Sequence, residues 1–188
     1  GFQNQSGVGS LINSGMIWGD SYGIALSDID SRIGNLENQS SGTIRGGAFG
    51  ISNIGSINSL TNAGVISGDN FGIANSGSIL NLVNYGSVIG NNSFGVSGIL
   101  NSAFTIVDQR GALVRAVVGN VDSLTNFGNI TGNVGVKNSI DTDSLSGASL
   151  SVNIRAIQNS GSIRGSTYGI LNGISGSYST SYQLYASI

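Results

Sequence analysis

Residues 62–82 read NAGVISGDNFGIANSGSILNL, and residues 84–90 begin the same phrase again as NYGSVIG. Leu60, Asn62, Gly64, Ile66 and Gly68 return as Leu82, Asn84, Gly86, Val88 (or Ile89) and Gly90. The other half of the phrase behaves alike. Phe49, Gly50, Ile51, Asn53, Gly55 and Ile57 return as Phe71, Gly72, Ile73, Asn75, Gly77 and Ile79, also displaced by 22 residues. Further copies occupy 12–24 (INSGMIWGDSYGI), 124–136 (LTNFGNITGNVGV) and 157–170 (IQNSGSIRGSTYGI). Within a copy, apolar positions alternate with small polar ones. That period of two belongs to extended strands with one buried face. Gly and Asn punctuate the strands, as residues that accept turn conformations.

A unit this short cannot bury its own apolar face, whereas stacked units bury a continuous core. The expected fold is therefore all-β: a right-handed parallel β-helix of coils of about 22 residues, five or six in number, with lateral insertions. In-register stacking places like on like. Asn38, Asn62 and Asn84 are expected to form an amide ladder at a bend. Phe49, Phe71 and Phe94 are expected to stack, with Tyr22 and Tyr168 at the same place, and Ile51, Ile73 and Val96 to face the interior.

Composition agrees with a folded chain. Of 188 residues 31 are Gly, hydrophobic residues make up 39% and charged residues 9%. Disordered chains carry more charge and fewer β-branched residues. With no Pro and no G-X-Y period, collagen is excluded. The net charge is -2, and the cations Arg32, Arg45, Arg110, Arg115, Lys137, Arg155 and Arg164 are scattered. Nucleic-acid binding needs them clustered, so no nucleic-acid partner is expected. No apolar run reaches the roughly 20 residues that span a bilayer, so this segment is not expected to insert into a membrane. The whole of 1–188 reads as a single β-helix segment, and its opening reads like the middle of something longer.

Function in a solenoid sits where the repeat is broken. From the G-I phrase to the next Leu, plain copies take nine positions (Ile51 to Leu60, Ile73 to Leu82). The first copy takes twelve (Ile24 to Leu36), through the addition of Asp28 to Asp30. After Val96 the count is twenty-eight, with a surplus near 99–117; after Val136 it is twenty-one, with a surplus near 139–151. All fall after the same phrase, which predicts that they leave one lateral face. The longer surplus has strand-like arms around DQRG (108–111) and reads either as a protruding hairpin or as a coil that has lost its consensus. The candidate partner-binding residues are Asp28, Asp30, Phe104, Asp108, Arg110, Arg115, Asp141 and Asp143. Tyr178 and Tyr182 join them from the tyrosine-rich end, which also reads as an irregular final coil.

Without His or Cys, the usual zinc sites and Ser-His or Cys-His nucleophiles are absent from the sequence. No cofactor, metal or catalytic residue is expected. The pairs Asp28/Asp30 and Asp141/Asp143 could bind calcium or serve in sugar hydrolysis, but they count as four coils apart. Solvated loop acids explain them more simply. A carbohydrate-active β-helix of the lyase or hydrolase kind is the alternative reading of function.

The stretch LTNAGVISGDNFGIANSGSILNLVNYGSVIG (60–90) resembles the N-x-G-x-I-x-G and G-I-x-N-x-G-x-I repeats of bacterial autotransporter passenger domains, which belong to type V secretion. The likeness covers most of 11–172 outside the expansions. It implies an extracellular or bacterial surface location, a separate C-terminal barrel in the full-length protein, and virulence-associated roles. Adhesion to a host or bacterial cell-surface protein or glycan is the first of these; a toxin segment or a plain structural stalk are the others.

Overall fold

Ile, Leu and Val recur at alternate positions in most of the short segments, and in the computed structural model those of the plain repeats, such as Ile57, Leu60, Ile66 and Ile73, turn inward from β-strands. The structure describes residues 1–91, 97–107, 113–141, 150–175 and 184–187. Among them the strands are β1 (Phe2–Asn4), β2 (Gly7–Asn13), β3 (Met16–Gly19), β4 (Tyr22–Leu26), β5 (Arg32–Asn38), β6 (Thr43–Gly46) and β7 (Phe49–Asn53). Next come β8 (Ser56–Asn62), β9 (Val65–Gly68), β10 (Phe71–Asn75), β11 (Ser78–Asn84), β12 (Ser87–Gly90), β13 (Ser97–Val107) and β14 (Leu113–Val118). The series closes with β15 (Asn120–Asn126), β16 (Asn129–Asp141), β17 (Leu150–Ile154), β18 (Ile157–Asn159), β19 (Ser162–Ser175) and β20 (Leu184–Ser187). No helix occurs among the described residues.

Every third strand pairs in parallel with its counterpart in the next repeat. One row runs β2-β5-β8-β11-β15 and continues through β17 and β18, with β20 on β17. A second runs β3-β6-β9-β12-β16, and a third β1-β4-β7-β10-β13-β16. β16 and β19 are long enough to belong to the second and third rows together, Asn129 pairing with Ser87 and Val136 with Ile99. The arrangement is all-β, with parallel strands in stacked sheets, as in a β-solenoid. Leu36, Leu60, Leu82 and Leu124 from the first row, Ile44, Ile66, Val88 and Ile130 from the second, and Ile51, Ile73, Ile99 and Val136 from the third form one buried cluster. Each fully buried side chain of this kind contributes about 1.5–3 kcal/mol, and no repeat could bury them alone.

Asparagine ends the strands of two rows and explains why the repeat insists on it. At the end of the first row Asn13, Asn38, Asn62, Asn84, Asn126 and Asn159 form one continuous amide ladder. Each Nδ2 donates to the Oδ1 of the next at 2.7–2.8 Å. A second ladder, not anticipated from the sequence, ends the third row: Asn53 to Asn75, Asn101, Asn138 and Asn172 at 2.7–2.8 Å. The same amides also bind backbone carbonyls, as Asn62 Nδ2 does with Ser87 O at 3.1 Å. A buried amide left unpaired would cost about 1–3 kcal/mol, so a one-residue slip of register is penalised at every repeat.

That ladder corrects two expectations. Phe71 pairs with Ser97, not Phe94, and Ile73 with Ile99, not Val96. Gly95-Val96 imitates the G-I phrase, but in the third row from Ile51 onward an asparagine follows two positions after the apolar residue and joins the ladder. Ile99 has Asn101 there, whereas Val96 would offer Gly98. Phe94 and Val96 lie outside the described residues. The aromatic row is therefore Tyr22, Phe49 and Phe71, with ring centroids 5.3 and 5.6 Å apart, and it gives way to Ser97 and Val134 before Tyr168.

Candidate functional site

The plain repeat turns from the third row to the first with two residues, Ser76-Gly77, between Asn75 and Ser78. Asn75 Nδ2 secures this joint by donating to Gly77 O at 3.1 Å. One repeat later Asn101 Nδ2 makes the same bond to Gly119 O at 3.2 Å, and Asn120 N donates to Gly77 O at 2.8 Å. Ser102 Oγ lies 3.1 Å from Ser76 Oγ. Ser102 and Gly119 thus take the places of the adjacent Ser76 and Gly77, and residues 103–118 are inserted between them. Gly119 is confined, since a Cβ there would lie 2.5 Å from Asn101 Oδ1 and 2.5 Å from Ser102 O.

The insertion is a hairpin. β13 runs on beyond the joint and β14 returns antiparallel to it, from Ala103↔Val118 to Val107↔Leu113, with an irregularity at Ile106/Val107. A coil without consensus is ruled out by register. β15 pairs directly on β11, Asn126 opposite Asn84, which leaves no level for another coil between them. Ile99 and Asn101 pair with Ile73 and Asn75 of the plain repeat, so the surplus begins after Ser102.

The other expansions leave from the same joint. Asp28 to Asp30 lie between Ser27 and Ser31, and Ser31 O accepts from Ser56 N at 2.9 Å, as Gly55 O does from Ser78 N. β16 and β19 continue past Asn138 and Asn172, giving the matched sets Ser102↔Ser139↔Gly173 and Ala103↔Ile140↔Ile174. A fourth departure follows β19, because β20 returns in register on β17, with Ser187 opposite Asn153. Three extended strands and one antiparallel strand, in the order β14-β13-β16-β19, so build a lateral sheet off this corner.

The sequence-derived residues distribute unevenly over this corner. Phe104 and Arg115 lie on the hairpin, opposite Val117 and Ile106, and Asp141 ends β16 opposite Ser175. Asp28 and Asp30 are exposed, four strand steps from Asp141's strand by the succession Leu26, Asn53, Asn75, Asn101, Asn138. Four steps are about 19 Å, too far for one ligand-binding constellation. The Asp28 carboxylate closes its own turn, accepting from Asp30 N at 3.0 Å, while the Ser31 hydroxyl lies 2.6 Å from Asp28 O and 3.0 Å from Asn4 O, either of which can accept its proton. Asp108, Arg110, Asp143, Tyr178 and Tyr182 lie outside the described residues. Tyr185 is on β20 opposite Ser151. No group of three or more Asp, Glu, His or Cys that could hold a metal occurs among the described residues.

Compared with protein-family models, with curated proteins and with solved structures, the chain matches none.

Proposed function

We propose that this chain is part of a right-handed, closed parallel β-helix displayed on or released from a bacterial surface, of the kind found in autotransporter passengers. Its role is adhesion, and its contact with a host or bacterial cell-surface protein or glycan runs through the corner that carries the expansions. One observation carries the reading: insertions from successive repeats leave the same joint and combine into a single lateral sheet. A spacer needs no such pooling, since rows of plain repeats already provide reach. Loops grafted on a rigid scaffold are where binding residues concentrate. A polysaccharide-cleaving role is less well supported, because the acid pairs of the sequence are separated by four strand steps.

Deletion of residues 103–118, which rejoins Ser102 to Gly119, tests this reading. Attachment of the purified chain to epithelial and bacterial cells should fall to background while its unfolding transition persists. Attachment at the level of the intact chain would overturn the assignment of this corner.

A further inference from the structure

A different corner carries a second feature, independent of the adhesion reading. Where the first row of strands turns into the second, each repeat places one residue after the buried asparagine. Successive residues there are Ala63, Tyr85, Phe127 and Ser160, whose amide nitrogens donate to Asn38 O, Asn62 O, Asn84 O and Asn126 O at 2.7–2.8 Å. These bonds fix the four positions one above another at the strand spacing of about 4.8 Å. Tyr85 and Phe127 stack with centroids 5.1 Å apart and planes 7° from parallel. They are nonetheless 57% and 49% exposed, more open than Phe49 and Phe71 of the other aromatic row.

The reason is the pair's neighbours. Ala63 on one side and Ser160 on the other are too short to cover a ring, so each aromatic keeps its outer face uncovered. The flanking outward rows are Thr61, Val83, Thr125 and Gln158 on one side and Val65, Ser87, Asn129 and Ser162 on the other. None of these residues is charged, and hydroxyl and amide groups predominate.

The geometry points to a binding site for a neutral glycan, with a pyranose ring laid on the outer face of Tyr85 or Phe127. The axial C–H bonds of a pyranose carry slight positive charge and meet the negative face of an aromatic ring, while its equatorial hydroxyls reach outward to hydrogen-bonding neighbours. Thr61 supplies such a neighbour at the level of Ala63, and Gln158 and Ser162 supply them at the level of Ser160. A nucleobase would stack equally well, but its phosphates need cations that these rows lack.

The test is an amide chemical-shift titration with cellotetraose, maltotetraose and chitotetraose. At least one should produce saturable shifts centred on Ala63, Tyr85, Phe127 and Ser160. The double variant Tyr85→Ala/Phe127→Ala should bind about tenfold more weakly or not at all. A second variant, Ala63→Leu/Ser160→Leu, leaves both rings in place and covers their open faces with branched aliphatic side chains that offer no aromatic face of their own. It should lose binding equally while unfolding at the same temperature as the parent or higher. Absence of shifts at these positions with all three sugars, or unchanged affinity in either folded variant, overturns the site.

Discussion

Leu26 stands opposite Asn53 in the pairing of β4 with β7, and the second amide ladder therefore stops there. Every later member of that ladder through Asn138 accepts a hydrogen bond on Oδ1 from the asparagine before it. Asn53 Oδ1 is buried and has no donor, since Leu26 offers none. Leu26→Asn should thus behave unlike an ordinary polar substitution in a core. It forfeits about 2–3 kcal/mol of apolar burial but supplies a donor to a buried acceptor, which returns about 1–3 kcal/mol. Leu36→Asn, at an equally buried position with no ladder to join, loses the burial and adds an unpaired amide. Urea unfolding should show Leu36→Asn to be less stable than Leu26→Asn by at least about 2 kcal/mol. Equal costs would mean that residue 26 cannot extend the ladder.

The glycine before the core isoleucine of the third row is a packing requirement. A Cβ on Gly50 would lie 2.5 Å from Gly72 O and 2.8 Å from Ile66 Cγ2, contacts from two other strands. Backbone held in a ladder cannot yield as a side-chain tip can, so Gly50→Ala should cost about 3 kcal/mol or more. Gly9 on β2 has nothing within 4 Å of its notional Cβ. Gly9→Ala should be neutral or stabilising by about 0.5 kcal/mol, through the lower entropy of the unfolded chain. Thermal unfolding of the two variants side by side checks the contrast.

Much of the fold was legible in the sequence because stacking forces repetition. Asn62, Gly64 and Ile66 each solve a local problem that recurs at every repeat, so their spacing carries the pairing register with it. The second ladder was equally visible in the spacing of Asn53 and Asn75, and the missing step was to see that a strand-ending asparagine is buried. The register at 97–101 was harder, because Phe94-Gly95-Val96 satisfies the local pattern and Asn101 decides only through its partner Asn75. Hairpin and degenerate coil share the same strand propensities over 104–117. What separates them is the pairing of Asn84 with Asn126, a relation between distant segments. The corner's candidate side chains were least legible, since insertions such as Phe104 and Arg115 have no counterpart in other repeats to read them against.

The two aromatic rows should respond differently to truncation. Phe49 is half-buried between Tyr22 and Phe71, so Phe49→Ala breaks two ring contacts of about 0.5–1.5 kcal/mol each and uncovers apolar surface. A loss of about 2–3 kcal/mol is expected. Tyr85 has one ring partner and is more exposed, so Tyr85→Ala should cost about 1 kcal/mol. Unfolding midpoints that reversed this order would show that exposure does not govern the rows' contribution.

The hairpin should be separable from the scaffold that carries it. Ala103 and Val118 are cross-strand partners, so the chain enters and leaves the insertion at neighbouring points. Joining Ser102 to Gly119 recreates the Asn-Ser-Gly sequence of the plain joint at Asn75-Ser76-Gly77. The bonds that close the joint, Asn101 Nδ2 to Gly119 O and Asn120 N to Gly77 O, involve no deleted residue. What disappears is the pairing of Ala103 with Ile140 at the edge of β16, the approach of β14 to β17, and the hairpin's own contacts. Shortening a surface loop changes closure entropy by under about 1 kcal/mol, and fully buried Ile140 loses its partner Ala103, so the net cost should be about 1–3 kcal/mol, several degrees in Tm. Hydrogen exchange offers the sharper measurement. The amide of Asn120 should keep its protection after the deletion, since its acceptor is Gly77 on the preceding repeat. Rapid exchange at Asn120 would show instead that the hairpin holds the joint closed, and that scaffold and insertion fold as one unit.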